Sequence, residues 1–170
     1  MGRDSWRGKS FSESRRVAMP TFMRASLRQL LLGVVFIGIV GLEVELALLR
    51  HAESFSQWIP HVTLIIGLLC TAMVFFRTGR LTLRVFQTLM LIFLVVGALG
   101  VYLHYRGNVE FALERYPSLT GARLIWKALR GASPALAPAA LSQLGLLGLL
   151  YTYRHPALAR NSAQGHESVD

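Results

Sequence analysis

The sequence predicts an all-α integral membrane protein, a compact four-transmembrane-helix bundle with a short amphipathic helical segment in the 106–133 connection, from three observations. Of the 170 residues, 53% are hydrophobic and only 16% charged, with a mean hydropathy of +0.45, a balance rare in a soluble domain of this size. The apolar residues are gathered into four long runs. The segments between those runs hold nearly all of the arginine and lysine. A helix rising 1.5 Å per residue needs about 20 apolar residues to cross a hydrocarbon layer of about 30 Å. Four such runs use roughly half of the chain, which leaves no room for a separate soluble domain of ordinary size.

Residues 1–20 read as a disordered basic cytoplasmic tail rich in Ser, Gly and Arg, followed by a membrane domain over 21–154. Ser14-Arg15-Arg16 superficially resembles a twin-arginine export signal. The apolar run that follows, 27–49, is longer than a signal peptide core and no small-residue cleavage site comes after it, so an uncleaved first span at about 26–49 is expected. The second span, about 58–76, opens with Trp58 at an interface and Pro60 in its first turn. It carries the single cysteine, Cys70, which excludes an internal disulfide and reads as a small buried or lipid-facing residue. Arg77-Thr78-Gly79-Arg80 is a tight basic turn into the third span, 82–105, where Gln87 and Thr88 are expected to pack against a neighbouring helix.

In the long connection Asn108 is positioned to cap a short helix that ends before Pro117. A second segment, 120–130, sets Ala122, Leu124, Ile125, Ala128 and Leu129 on one side and Arg123, Lys127 and Arg130 on the other. That pattern fits a helix in the headgroup plane with its basic face on lipid phosphates, or equally a re-entrant cap packed on the bundle. Ser133-Pro134 is a helix start signal for the fourth span, 134–153, which Pro138 is expected to bend. Residues 155–170 read as a flexible cytoplasmic tail.

Orientation follows from the basic residues. Twelve lie on the side of the N-terminus and six on the other, which places both termini in the cytoplasm and points to a bacterial inner membrane. The formal charge of +9 is assigned to lipid headgroups and orientation rather than to nucleic acid, because the cations flank the apolar runs. The bilayer itself, anionic lipids, and a membrane-protein partner or second copy of the chain are the expected partners. Pairs of glycines one turn apart, Gly38 and Gly41, Gly97 and Gly100, Gly145 and Gly148, predict tight helix packing in the outer half of the membrane.

Chemistry is sought first at Glu43 and Glu45, because a carboxylate near a helix centre in hydrocarbon costs several kcal/mol unless it faces protein or water. The two lie about 200° apart around the helix and so address different neighbours. His61, at the start of the second span, and His104, at the end of the third, fall at the same level, with His51, Glu53, Glu110 and Glu114 in the adjoining loops. A cluster of Glu43, Glu45, His61 and His104 has the donor chemistry for a divalent transition metal or a proton relay. Haem is disfavoured, since both histidines sit near helix ends and no CxxCH is present. Arg106, Arg123, Lys127 and Arg130 are the expected lipid or partner contacts. No HExxH, CxxC, P-loop or dinucleotide fingerprint occurs, and the expectation is a small polytopic accessory or interaction protein, more a binding protein than an enzyme, with a metal-binding, proton-relay, transport or redox component as the alternative.

Overall fold

Hydrocarbon offers no partner to a peptide group, so a long apolar segment satisfies its own backbone as a helix. The computed structural model describes residues 21–50, 53–131 and 136–159, and they form α1 (Thr21–Leu48), α2 (Phe55–Phe76), α3 (Arg80–Arg115), α4 (Gly121–Leu129), α5 (Ala139–Thr152) and the single turn α6 (Pro156–Ala159). Three of them, α1, α2 and α3, are long and apolar enough to cross a membrane.

The boundaries have local causes. α1 closes on Arg50, whose φ of 50° is the left-handed conformation that ends many helices. α2 starts at Phe55, earlier than the 58 expected, because Ser54 and Gln57 form a capping box in which the Gln57 carboxamide oxygen accepts the backbone N–H of Ser54 at 3.1 Å and of Glu53 at 2.7 Å. Pro60 consequently falls in the second turn, where it forgoes a main-chain bond. Between α2 and α3 the expected basic turn is present, with the Thr78 hydroxyl donating to the Val74 carbonyl at 3.0 Å.

Two expectations are corrected. The third helix was expected to end at 105 and a new one to start at Asn108, but α3 runs unbroken for 36 residues, roughly 54 Å. Asn108 is buried inside the helix rather than capping one. It ends at Tyr116, before Pro117, as expected. The fourth span was expected over 134–153. Its start at Ser133-Pro134 lies outside the described residues, and the helix observed is α5, 14 residues long, about 21 Å. Pro138 does not bend it; it stands immediately before the first turn, after i→i−3 bonds from Ala139, Ala140 and Leu141 to residues 136–138.

The order of helices, which periodicity leaves open, is a ring. α1 packs on α2 and α5, α3 packs on α2 and α5, and among the described residues the backbones of neither diagonal pair, α1 with α3 or α2 with α5, come close. The α3–α5 interface is the most extensive, and α4 rests on α3. Val35 and Ile39 from α1, Leu64 and Val74 from α2, and Phe86, Met90 and Phe93 from α3 are sealed inside. Large apolar side chains also face outward all along the spans, with Leu30 69%, Ile37 71%, Leu69 66% and Val95 65% exposed. A soluble protein does not carry so much apolar surface, whereas a bilayer covers it.

Glycines set the α3–α5 distance. A Cβ on Gly145 would meet the Met90 carbonyl oxygen at 2.6 Å, and one on Gly97 would strike the backbone and hydroxyl of Ser142. Ser142 uses that closeness to donate to the Leu94 carbonyl at 2.9 Å. Gly148 lies against Met90 and Phe86, Gly100 against Pro138, and Gly38 against Leu144, while Gly41 has open space. The close approach follows α5 along its length, and Gly41 takes no part in it. Gln87 packs across the interface as expected, donating to the Thr152 hydroxyl at 3.1 Å; the Thr88 hydroxyl instead donates to Arg84 of its own helix. At the same end the Arg28 guanidinium donates to the carbonyls of Arg154 at 3.0 Å and Tyr153 at 3.4 Å, tying the start of α1 to the end of α5. Burial and the nearby Arg28 charge hold the adjacent His155 imidazole below its ordinary pKa.

Gly145→Val is expected to destabilise the bundle by about 1–3 kcal/mol through overpacking, and Gly41→Val by little. Thermal unfolding in mild detergent checks this; equal midpoints for the two variants would contradict the assigned α3–α5 packing.

Candidate functional site

The antiparallel contact of α1 with α2 brings the last turns of one against the first turns of the other, and with them Glu43 and His61. His61 Nδ1 stands 2.9 Å from Glu43 Oε1. The imidazole is buried, and Trp58, one turn earlier in α2, lies beside it with ring centroids 5.7 Å apart. Nδ1–H donates to the carboxylate when Glu43 is ionised, and the carboxyl O–H donates to Nδ1 when the proton resides on Glu43. The pairing gives a carboxylate in an apolar span a polar neighbour, which is what its position demands. The second carboxyl oxygen, Oε2, is buried with no hydrogen-bond partner among the described residues.

The other expected members are placed differently. Glu45 is exposed, as its angular offset from Glu43 implies. His104 is half-buried on α3, and α3 lies diagonally across the ring from α1. Glu53 and Glu114 are exposed, His51 lies outside the described residues, and Glu110 forms an exposed ion pair with Arg106 at 2.8 Å. Among the described residues no group of three or more His, Cys, Asp or Glu side chains is arranged to hold a metal ion. Arg50, which shares a face of the first helix with Glu43 by sequence, is exposed, and His61 is the partner instead. Cys70 is buried in α2, as expected.

A second site lies where α3 runs on past its apolar stretch and α4 folds back on it. Gly121 turns the chain into α4 with a φ of +61°, a conformation that favours glycine. The buried Asn108 amide donates to the Ala128 carbonyl at 2.9 Å, so the residue expected to cap a helix instead fastens α4 to α3. Gly131 completes the joint, because a Cβ there would strike the Asn108 carboxamide. α4 thus packs on the end of α3, with Ile125 and Trp126 facing outward, 51% and 62% exposed.

Between the two helices is an open groove of about 370 Å³ whose walls include Arg115, Lys127 and Arg130, with Arg123 lining its continuation. Lys127 Nζ sits 5.3 Å from the centre of the Tyr116 ring, and the Arg130 guanidinium 5.8 Å from Trp126, close enough for cation–π attraction to orient both cations. Three of the four expected basic contacts, Arg123, Lys127 and Arg130, converge here. Arg106 does not, being held by Glu110. Arg115 was not anticipated; a continuous α3 sets it two turns beyond Asn108 on the same face, and that spacing is its signal.

No protein-family model matches the chain, and neither the curated proteins nor the solved structures contain a match to it.

Replacing Glu43 or His61 by Ala is expected to cost about 1–3 kcal/mol, since each leaves a buried polar partner behind. The double variant should be non-additive by at least about 0.5 kcal/mol, with Glu45→Ala near neutral. Denaturant unfolding in mixed micelles gives the cycle, and strict additivity would show that the pair carries no coupling.

Proposed function

We propose that this chain is a small polytopic accessory or interaction protein of the bacterial inner membrane, crossing the bilayer four times with both termini in the cytoplasm. The observation that carries the reading is the outward apolar surface of α1, α2 and α3, beside which the end of α3 with α4 forms one helical arm among the described residues. A bundle that spends most of its described residues in spans presents its partners with lipid-facing helices and that arm.

In this reading α5 is the fourth crossing. Its close packing along α3 supports a place inside the bilayer, and a helix shorter than the hydrocarbon thickness is accommodated by local thinning. The end of the ring that holds Arg28, Arg77, Arg80, Arg84 and Arg154 is the cytoplasmic one, because cations are retained on that side. The arm with α4 then stands on the outer face.

A second reading, a proton-relay component, is favoured by the Glu43–His61 contact alone. One hydrogen bond between a carboxyl and an imidazole is an elementary proton-transfer step, and the buried Oε2 is the atom from which a path would continue. For metal binding the pair supplies fewer protein ligands than the three or four of ordinary sites.

Single cysteines at Ser118→Cys and Ser162→Cys, each in a Cys70→Ala background, test the topology in intact cells. An impermeant maleimide is expected to label the first directly and the second only after permeabilisation. Labelling of both from one side would overturn the four-crossing arrangement.

A further inference from the structure

The geometry points to the α3–α4 groove as a binding site for the phosphate of an anionic lipid headgroup, an assignment that rests on the membrane reading above. Position comes first. The apolar part of α3 ends near Tyr105, so Asn108 lies about 5 Å and Arg115 about 15 Å further along the helix axis. The headgroup layer adds roughly 5–7 Å on each face of the hydrocarbon. The Asn108 end of the groove is therefore at phosphate level, with Arg115 beyond it on the water side.

Charge and shape agree with that position. The two ion pairs among the described residues, His61 with Glu43 and Arg106 with Glu110, lie outside the groove. Arg115, Arg123, Lys127 and Arg130 have no carboxylate within ion-pair distance among the described residues, although their charges converge. Like charges gathered without a counter-ion are held at an electrostatic penalty that a bound anion removes. The groove is also preorganised, because the Asn108 amide and the Gly131 backbone fix α4 on α3 before any ligand arrives.

An anionic lipid suits the surroundings better than a soluble acidic partner. Phe111, Ile125 and Trp126 are 53%, 51% and 62% exposed beside the cations. Exposed aromatic and aliphatic side chains beside cations are the pattern of interfacial segments, in which the apolar groups meet the lipid and the cations its phosphate. A guanidinium engages a phosphate through two parallel N–H donors, so Arg130 and Arg115 supply direction as well as charge. Lys127 adds a mobile point charge beside Arg130 on the α4 wall.

Native mass spectrometry of the full chain, released from detergent after equilibration with equal phosphatidylglycerol and phosphatidylcholine, tests the site. The wild type is expected to retain phosphatidylglycerol selectively. Lys127→Gln with Arg130→Gln should cut that retention about tenfold or more, given the contribution of each cation near a membrane surface. Arg106→Gln, outside the groove, should leave it unchanged, and Arg130→Lys should keep part of it. A thermal melt equal to wild type shows that the double variant is folded. Equal retention of the two lipids by the wild type, or an unchanged preference in the folded double variant, overturns the site while leaving the membrane reading standing. Occupancy by inorganic phosphate without lipid preference overturns the lipid assignment in favour of a free-anion site. Recovery of the chain from cells as a soluble species without detergent overturns the membrane reading itself.

Discussion

The close approach of α3 and α5 is the contact on which the rest of the architecture depends. In a lipid environment apolar side chains gain nothing by leaving the solvent, so helices associate only where backbones come near enough for dense packing and polar contact. Gly97 and Gly145 remove the Cβ atoms that would hold these two helices apart. The gap they open admits the Ser142 hydroxyl to the Leu94 carbonyl. Once α5 is fixed on α3, α1 closes the ring, with Leu144 of α5 lying against Gly38 and Arg28 holding the last carbonyls of the α5 end. The α1–α2 contact, and with it the meeting of Glu43 and His61, is the remaining side of that ring.

The length of α3 has the second largest consequence. A helix of 36 residues exceeds the hydrocarbon thickness by many residues, and its last turns carry α4. Gly107 and Asn108 would ordinarily favour an interruption. Asn108 stays helical because its side chain has a better use, the Ala128 carbonyl, than its own backbone. One amide thereby converts a residue of low helix propensity into the fastening of α4, and positions Lys127 and Arg130 opposite Arg115. The two ends of the molecule differ in kind as a result. At one end Arg28 ties helix termini together, and at the other several cations line a groove.

Hydropathy made the three long helices legible, because the requirement that a backbone in lipid bond to itself leaves few alternatives. The α2–α3 turn, the stop before Pro117 and the amphipathic segment near 120–130 were legible too, each through a local rule. Local rules do not reach what a distant partner decides. The continuity of α3 depends on Ala128, twenty residues from Asn108, and propensity at Gly107-Asn108 points the other way. The Ser54 capping box is readable in Ser54-Phe55-Ser56-Gln57, and it sets the start of α2 three residues before Trp58. Of the four Glu and His residues singled out, Glu43 and His61 are joined by a hydrogen bond. Which of them would meet depended on the ring order of the helices, and hydrophobic periodicity carries no information about order.

The standing of α5 as an apolar helix buried against α3 is tested most directly by hydrogen–deuterium exchange of the full chain in lipid nanodiscs. Amides of 139–152 should exchange as slowly as those in the middle of α3, since both are bonded within helices and sealed from water, while 106–131 should exchange faster. Exchange in 139–152 as fast as in the 106–131 arm would show that α5 lies in water, and the ring would have to be redrawn without it.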